Sequence, residues 1–403
     1  MLLLLALTLV LIGRGILPAL SKIDSDFPNY LTAAKIVANA GDSDRLYDNS
    51  WFQEQARRYR MGSGDGTKFS PFPPPTALLL LPLTPLEPLS ALRVVTGLSL
   101  LCLIASIVLL MRILSWSAVD AAVLVLLSGY AICAALRLGQ PYIVVSSSCV
   151  LGYYAYLKNR PLLAGICFGL FSPIKYFPVV ILIYFAYRRQ WRLLVAGLAT
   201  ILVEAAVSIA VLGWSIHRQF LASVLGNHLI GKLSMQDPFT ASFQSFDTLF
   251  RRLFIFDPSS NPQPFIALPG LQLAAVIATK ALLLLAAMLT LVKLARHGAA
   301  SATAPSVGLL GVLTLLIAPA TGSYYLVLLW LPVGLLIEYF IRERHRVCAY
   351  FIVADYALIG FFPYRFTQPF EGRGGLTVLA YPRLLLLLAM FVACVGVIWT
   401  PRR

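Results

Sequence analysis

Long apolar runs alternate with short polar breaks along almost the whole chain. A helix needs about 20 residues to cross the hydrocarbon core of a bilayer, and most of these runs approach that length. Apolar character that continues over such lengths predicts helices rather than strands. We therefore predict about twelve membrane crossings, at Leu2–Leu20, Leu89–Ile113, Ala118–Leu136, Tyr142–Leu157, Leu162–Phe171, Ile174–Tyr187, Trp191–Leu212, Gly270–Leu294, Pro305–Ala318, Tyr324–Ile341, Val347–Phe362 and Tyr381–Trp399.

The amino-acid composition also indicates a membrane protein. Hydrophobic residues make up 59% of the 403 residues, charged residues make up 12%, and the mean hydropathy is +0.82. A soluble domain carries about a quarter charged residues, so this composition excludes the soluble class. We predict an all-α polytopic membrane protein that forms one membrane-embedded domain over residues 1–403. Short amphipathic helices are expected at the membrane surface in its first long loop, at Asp26–Gly41 and Asn49–Tyr59.

The basic residues are distributed asymmetrically. Lys and Arg number 32 against 17 Asp and Glu, and they fall mainly in every second break. This is the positive-inside distribution of a membrane protein, so the excess charge does not indicate a nucleic-acid partner. Both termini are expected on the basic, cytoplasmic side, with Met1–Leu20 as a retained anchor. The long loops 21–88, 213–269 and 363–380 then share the extracytoplasmic side, where we expect the polar chemistry.

The stretch Pro161–Tyr187 is too short for two full membrane helices, although basic residues bound it at both ends. Two breaks on the same side of a membrane require an even number of crossings between them. We therefore expect a pair of short helices or a re-entrant hairpin, with Lys175 near its tip. Pro173 supports a break there, because proline removes a backbone donor.

Two carboxylates, Asp24 and Asp26, directly follow the first apolar run. A charged group is costly to desolvate beside a hydrocarbon slab, and such residues often serve a reaction or a substrate. The alternative is a solvated helix end, or an N-cap for a helix over Pro28–Ala40. The sequence around the pair leaves both interpretations open.

Several short motifs occur along the chain in a particular order. They are Asp26-Phe27-Pro28-Asn29-Tyr30 with Gly41 and Leu46-Tyr47-Asp48, then Phe72-Pro73-Pro74 with Pro82-Leu83, Leu138-Gly139-Gln140-Pro141-Tyr142, Ala164-Gly165 with Lys175, Ser242-Phe243-Gln244-Ser245 with Arg251-Arg252-Leu253, and Tyr325-Leu326-Val327 before Leu331-Pro332. Each motif is weak alone, but their order resembles that of the polyprenyl-phosphate-mannose-dependent mannosyltransferases, family 87 of the glycosyltransferase C superfamily.

The resemblance implies transfer of a hexose, commonly mannose, from a polyprenyl-phosphate donor to a hydroxyl acceptor, with inversion at the anomeric carbon. It also implies a glycosyltransferase C-like fold, a bacterial inner membrane, a glycolipid or glycan acceptor, and an extracytoplasmic site. Inversion needs a carboxylate to take the acceptor proton. Asp26 matches the aspartate of the family and is the candidate base, with Asp24 as the second choice. No cofactor is expected, because the lipid-phosphate sugar is a co-substrate.

A leaving lipid phosphate needs cations or hydrogen-bond donors. The candidates for binding it are Lys175, Arg137, Tyr324 and Arg383, and the candidates for binding sugar or acceptor are Gln140, Tyr30, Gln244 and Tyr325. Tyr324 departs from the resemblance, because family members often carry a histidine there. Each of three candidates also has a purely structural interpretation. The Arg137 side chain could extend from a helix end to the membrane surface. Lys175 could close a hairpin, and Gln140 could stabilise a turn.

We predict no metal, because the four histidines show no ligand spacing and two nearby carboxylates alone are weak evidence. A transporter or flippase of lipid-linked sugars is the main alternative function, and a non-catalytic scaffold is another. A transporter should concentrate ionisable residues at mid-membrane. This chain instead keeps most of them at one face, and Glu204, with Lys280 and Arg14, is the clearest exception.

Overall fold

The computed structural model describes residues 1–39, 41–61, 66–229, 237–296, 299–362 and 364–400. Helices account for 76% of the structure, and these ranges contain no β-strand. The predicted all-α class is therefore confirmed. By backbone contacts the chain divides into two compact units. The first contains Met1–Leu126 and Ile132–Leu229, and the second contains Leu127–Ala131 and the described part of Gln236–Arg403.

Thirteen α-helices lie wholly or mainly in the first unit, among its described residues. They are α1 Leu2–Leu11, α2 Leu17–Ser21, α3 Phe27–Ala38, α4 Asn49–Arg58, α5 Pro88–Leu114, α6 Ala118–Leu126, α7 Tyr130–Arg137, α8 Tyr142–Leu157, α9 Pro161–Gly169, α10 Phe177–Tyr187, α11 Trp191–Leu212, α12 Trp214–Gln219 and α13 Leu225–Leu229. Short 3-10 turns at Ser43–Arg45, Pro74–Leu78 and Leu81–Leu83 link the early helices, and π-helical turns occupy Ile12–Ile16 and Phe220–Val224.

Six α-helices form the described part of the second unit. They are α14 Phe246–Phe254, α15 Pro269–Ala295, α16 Ala299–Ile317, α17 Trp330–Arg342, α18 Arg346–Phe361 and α19 Pro382–Trp399. The 3-10 segments between or before them are Ser323–Leu329, Tyr364–Phe366, Gln368–Phe370 and Gly374–Ala380.

Six helices within the described ranges are long and apolar enough to cross a membrane. They are Leu2–Ser21, Pro88–Leu114, Trp191–Leu212, Pro269–Ala295, Ser323–Arg342 and Pro382–Trp399. A seventh candidate arises if α6 and α7, which are bent by 70° at their junction, are counted as one span. The protein is thus a polytopic membrane protein. Other predicted crossings form shorter apolar helices, including α8 and α10, so the count of about twelve stays a prediction.

Helices α3 and α4 occur where the sequence predicted short helices in the first loop, and α3 is largely buried within the protein. Phe27, Tyr30, Leu31 and Ala34 are all at most 1% exposed. They belong to a core cluster that also includes Leu92 of α5. Other residues of the protein therefore cover α3, and its place at the membrane surface stays a prediction.

The stretch 161–187 contains the expected pair of short helices, α9 and α10, and Lys175 lies in the connection between them. Helix α9 packs closely against α11 through small residues. A Cβ atom at Gly165 would lie 2.2 Å from the Leu193 carbonyl oxygen, and one at Gly169 would lie 2.6 Å from the Gly197 carbonyl oxygen. Glycines four residues apart let two membrane helices approach at backbone distance. This GxxxG pattern is visible in the sequence, but our sequence analysis did not use it.

We predict that Gly165→Ala destabilises the protein by about 1–3 kcal/mol, because the new methyl group has no room against α11. The measurement is the thermal unfolding midpoint of purified protein in one detergent. Gly97→Ala on α5 is the matched control, since a Cβ atom there meets nothing within 4 Å. Equal midpoints for the Gly165 variant and the wild type would contradict the close packing of α9 and α11.

Candidate active site

Asp26 precedes the first turn of α3, at the N-cap position, but its side chain does not cap the helix. In α4, by contrast, the Asp48 carboxylate accepts a hydrogen bond from the Trp51 N–H, as an N-cap normally does. The Asp26 carboxylate instead accepts from the side-chain amide of Gln140, with 2.6 Å between Gln140 Nε2 and Asp26 Oδ2. The helix end therefore holds Asp26 in place while its carboxylate makes a contact outside the helix.

Gln140 is positioned by the way α7 ends. The Gly139 N–H donates to the Leu136 carbonyl oxygen and the Gln140 N–H donates to the Ala135 carbonyl oxygen. These two bonds form a Schellman motif, which needs a left-handed residue at the Gly139 position. Gly139 has φ +60°, and a Cβ atom there would lie 2.6 Å from a ring carbon of Phe27. Both the left-handed backbone and the close approach to Phe27 therefore require glycine at this position. The Gly-Gln-Pro sequence is a recognisable signal of the end of α7.

Tyr30 lies four residues after Asp26, on the same face of α3. Its hydroxyl donates to Gln140 Oε1 at 2.6 Å, so the three side chains form a continuous Tyr30–Gln140–Asp26 chain. Tyr30 is 1% exposed and Gln140 is 2% exposed. Because an ionised carboxylate only accepts hydrogen bonds, the amide NH₂ must face Asp26 and the amide oxygen must face Tyr30.

Lys175 approaches the same place from the connection between α9 and α10. It is 8% exposed, and its Nζ atom lies 4.7 Å from the ring centroid of Tyr142, 4.8 Å from that of Phe72 and 5.9 Å from that of Tyr30. We call these three rings the aromatic cage. Burial lowers the pKa of Lys175 to about 7, whereas the charge of Asp26 acts in the opposite direction. The ring faces also favour the charged ammonium form.

A second buried lysine, Lys68, belongs to the same group. Its backbone N–H donates to the side-chain oxygen of Asn29 at 2.9 Å, which ties the loop before Phe69 to α3. Burial lowers the pKa of Lys68 to about 8, and the charge of Asp26 partly offsets this effect. Our sequence analysis missed Lys68. The only signal was its position just before the aromatic and proline-rich stretch that begins at Phe69.

Asp24 and Arg137 form an ion pair, with 3.0 Å between Arg137 Nε and a carboxylate oxygen of Asp24. Their side chains are 31% and 34% exposed, so water screens this pair. Asp26 is also partly buried, and burial raises the pKa of its carboxyl group, an effect that the Gln140 hydrogen bond and the Lys175 charge oppose. The two carboxylates therefore occupy different environments.

In the first unit the structure thus brings together six of the predicted site residues: Asp24, Asp26, Tyr30, Arg137, Gln140 and Lys175. With Lys68, three cationic side chains accompany two carboxylates when both lysines are charged. The group has one positive charge in excess and suits an anionic ligand. A carboxylate close to buried cations suits proton transfer beside a departing anion.

The other predicted residues lie in the second unit. The Gln244 side chain donates to the carbonyl oxygens of Ala241 and Ala380, at 2.7 and 3.1 Å, and accepts from the Arg383 N–H at 3.1 Å. Gln244 is 2% exposed. Its amide therefore links the loop before α14 to the start of α19.

Arg383 is 6% exposed, and its Nε donates to the Ile359 carbonyl oxygen at 3.3 Å. Its guanidinium carbon lies 5.5 Å from the Tyr130 ring centroid. Tyr324 and Tyr325 are half-buried and pack edge to face, with ring centroids 5.2 Å apart. Polar and aromatic groups are thus clustered in the second unit as well.

Two ionisable residues that the sequence places inside apolar runs, Lys280 and Glu204, differ in whether they have a partner. Lys280 pairs with the buried Asp247 at 2.6 Å, which gives this cation a structural partner. The carboxylate of Glu204 on α11 has no hydrogen-bond partner among the described residues. Across those same ranges, no three His, Cys, Asp or Glu side chains lie close enough to hold a metal ion.

The fold and the polar group define a helical membrane protein with a cluster of partly and fully buried charged side chains. Residues 71–319, more than half of the chain, match glycosyltransferase family 87. The chain therefore belongs to glycosyltransferase family 87 and is a membrane glycosyltransferase. The matched range includes Arg137, Gln140 and Lys175, whereas Asp24 and Asp26 precede it. Comparisons with curated proteins and with solved structures give no match.

The two carboxylate–cation pairs should differ in their contribution to stability. Asp247→Asn leaves Lys280 charged and poorly solvated, so we expect a loss of about 3 kcal/mol. Asp24→Asn breaks a pair that is about one third exposed, and surface pairs contribute about 0–1 kcal/mol. Thermal unfolding of both variants in one detergent tests this order. A larger loss for Asp24→Asn than for Asp247→Asn would contradict it.

Proposed function

We propose that the protein transfers a hexose, with mannose as the first choice, from a polyprenyl-phosphate donor to a hydroxyl group of a glycolipid or glycan. The reaction inverts the anomeric carbon. The observation that carries the proposal is the position of Asp26, a partly buried carboxylate whose charge interacts with the buried side chains of Lys175 and Lys68. Membership of glycosyltransferase family 87 supplies the reaction class.

In the proposed reaction, the acceptor hydroxyl oxygen forms a bond to the anomeric carbon on the face opposite the phosphate. The bond between that carbon and the phosphate oxygen breaks, and its electron pair leaves with the lipid phosphate. Asp26 takes the hydroxyl proton. Lys175 stabilises the negative charge that develops on the leaving phosphate, since a cation in a site of low dielectric does this effectively.

The environments of the two carboxylates support Asp26 rather than Asp24 as the base. Asp24 is paired with Arg137 at 3.0 Å, so its carboxylate already has a cationic partner. Burial raises the pKa of Asp26, which makes it a stronger base. Arg137 takes part in donor binding at the edge of the site, and Lys68 is a further candidate for phosphate contact.

A lipid-borne donor fits the membrane class of the protein. Each CH₂ group of a polyprenyl tail that leaves water contributes about 0.8 kcal/mol. We include in the proposal an extracytoplasmic site, cytoplasmic termini, a bacterial inner membrane and a glycosyltransferase C-like arrangement of about twelve helices. The support is the distribution of basic residues between the apolar runs. The mechanism needs no cofactor. Tyr324, Tyr325 and Arg383 remain candidates for ligand contact in the second unit.

We predict that Asp26→Asn lowers sugar transfer by about a hundredfold or more, because the variant cannot accept the proton. Asp24→Asn should retain transfer within about tenfold of wild type, because its main contact is the Arg137 ion pair. The measurement is transfer of radiolabelled mannose from polyprenyl phosphate to membrane lipid by purified protein.

Equal transfer by wild type and Asp26→Asn would contradict the assignment of the base while keeping the reaction. No transfer by folded wild-type protein, with several sugars on the polyprenyl phosphate, would contradict the proposed reaction and favour transport of lipid-linked sugars.

The reaction should also have a bell-shaped pH dependence. Asp26 must be ionised, so kcat/KM falls as the pH drops through its raised pKa. Lys175 must be protonated, so kcat/KM also falls as the pH rises past its pKa of about 7. Bound phosphate favours the ammonium, so the alkaline limb of kcat should lie at higher pH than that of kcat/KM.

Lys175→Arg provides the control for the alkaline limb. An arginine stays protonated throughout the accessible range, so this variant should lose the limb even if its maximal rate is lower. An alkaline limb that persists unchanged in Lys175→Arg would show that another group causes it.

A further inference from the structure

We propose that Gln140 and Tyr30 are positioning residues for the base, which direct Asp26 Oδ1 toward the acceptor hydroxyl, rather than residues that contact the sugar. This inference rests on the proposed function and extends it. It assigns roles to two side chains and to one of the two oxygens of the carboxylate.

The direction of the hydrogen bonds carries the argument. The Tyr30 hydroxyl donates to Gln140 Oε1 and Gln140 Nε2 donates to Asp26 Oδ2, both at 2.6 Å. The bond to Nε2 favours a carboxylate that keeps Oδ2 unprotonated. Among the described residues, Oδ1 has only a long contact of 3.4 Å, to the hydroxyl of Ser25. Oδ1 is therefore the oxygen that can approach and deprotonate an acceptor.

The burial of both partners argues against a role in sugar binding. Gln140 is 2% exposed and Tyr30 is 1% exposed. The amide oxygen of Gln140 already accepts from Tyr30, and its NH₂ group already donates to Asp26. A sugar hydroxyl that displaced either bond would leave a buried polar group without its partner, which costs about 1–3 kcal/mol.

The backbone makes the arrangement rigid. Asp26 and Tyr30 lie one turn apart on α3, which is buried along most of its length. Gln140 follows Gly139 in the Schellman motif at the end of α7. The chain thus fixes the carboxylate between two elements that are far apart in sequence. A misplacement of about 1 Å in a reacting group can lower a rate about a hundredfold.

Several other charges act on Asp26 and must stay constant in a test. Lys175 comes from the connection between α9 and α10, Lys68 from the loop before Phe69, and Asp24 from the same segment as Asp26. Arg137, at the end of α7, pairs with Asp24. Substitutions at Gln140 and Tyr30 leave all of these in place. Tyr30→Phe also keeps the ring that faces Lys175.

The test compares Gln140→Met and Tyr30→Phe with wild type in the mannose transfer assay over a range of pH. Gln140→Met keeps the side-chain volume but removes the donor that favours ionised Asp26. We expect kcat to fall about ten- to a hundredfold, with less than a threefold change in the KM values of donor and acceptor. The acidic limb of kcat/KM should move to higher pH by about one unit, and Tyr30→Phe should give smaller changes in the same directions.

Gln190→Met and Tyr187→Phe are the matched controls, because they make the same chemical changes between α10 and α11 and at the exposed end of α10. Both should leave the rates and the pH profile unchanged. Raised KM values with an unchanged kcat and an unchanged acidic limb in Gln140→Met would overturn the proposal and make Gln140 a sugar ligand.

An infrared titration of the resting protein separates failure of this inference from failure of the proposed function. The carboxyl band that disappears in Asp26→Asn reports the ionisation of Asp26 without any substrate. It should titrate at higher pH in Gln140→Met than in wild type, because the amide hydrogen bond is lost. Unchanged titration overturns the positioning role whether or not the protein transfers mannose. A shifted titration in a protein that transfers no sugar would instead contradict the reaction while confirming the hydrogen-bonded chain.

Discussion

A carboxylate remains charged in a buried site of a membrane protein only if hydrogen-bond donors and cations replace the water that it loses. The contact between Gln140 and Asp26 meets part of that requirement and the charge of Lys175 meets another part, although burial remains the largest effect on the pKa of Asp26. Other features of the first unit serve to position these groups around Asp26. Helix α3 is buried and fixes the direction of Asp26, and the left-handed Gly139 brings Gln140 within 2.6 Å of it.

The sequence predicted the parts of this site that depend on local patterns. The position of Asp26 after the first apolar run and that of Lys175 between two short helices were predicted from spacing and residue type, whereas Gly139-Gln140-Pro141 was noted as a motif of the family resemblance. The contacts between them join positions up to 114 residues apart, and no local pattern contains that information. The aromatic cage was missed for this reason. Phe72 and Tyr142 were noted as motif residues, but not as neighbours of a lysine.

The fold, like the site, was predictable from the sequence only in part. Hydropathy correctly indicated a helical membrane protein, because the bilayer imposes helices on long apolar runs. It does not distinguish a full crossing from a short apolar helix packed inside the protein. Helix α10 has 11 residues and α8 has 16, although both are apolar enough to resemble spans. Burial of α3 was also unpredictable locally, because its cover comes from Leu92 on α5 and from loop residues.

Burial has opposite effects on the two principal groups of the site. It raises the pKa of Asp26 and lowers that of Lys175, so both groups move toward neutrality, while their mutual attraction opposes both shifts. A base must be strong enough to take a proton, and a phosphate-binding cation must keep its own. The aromatic cage favours the protonated form of Lys175, because ring faces attract an ammonium group. Unlike a carboxylate, the rings do not cancel its positive charge. In the proposed reaction, the ring faces would help Lys175 to stay cationic for the phosphate, and Asp26 would act as the base.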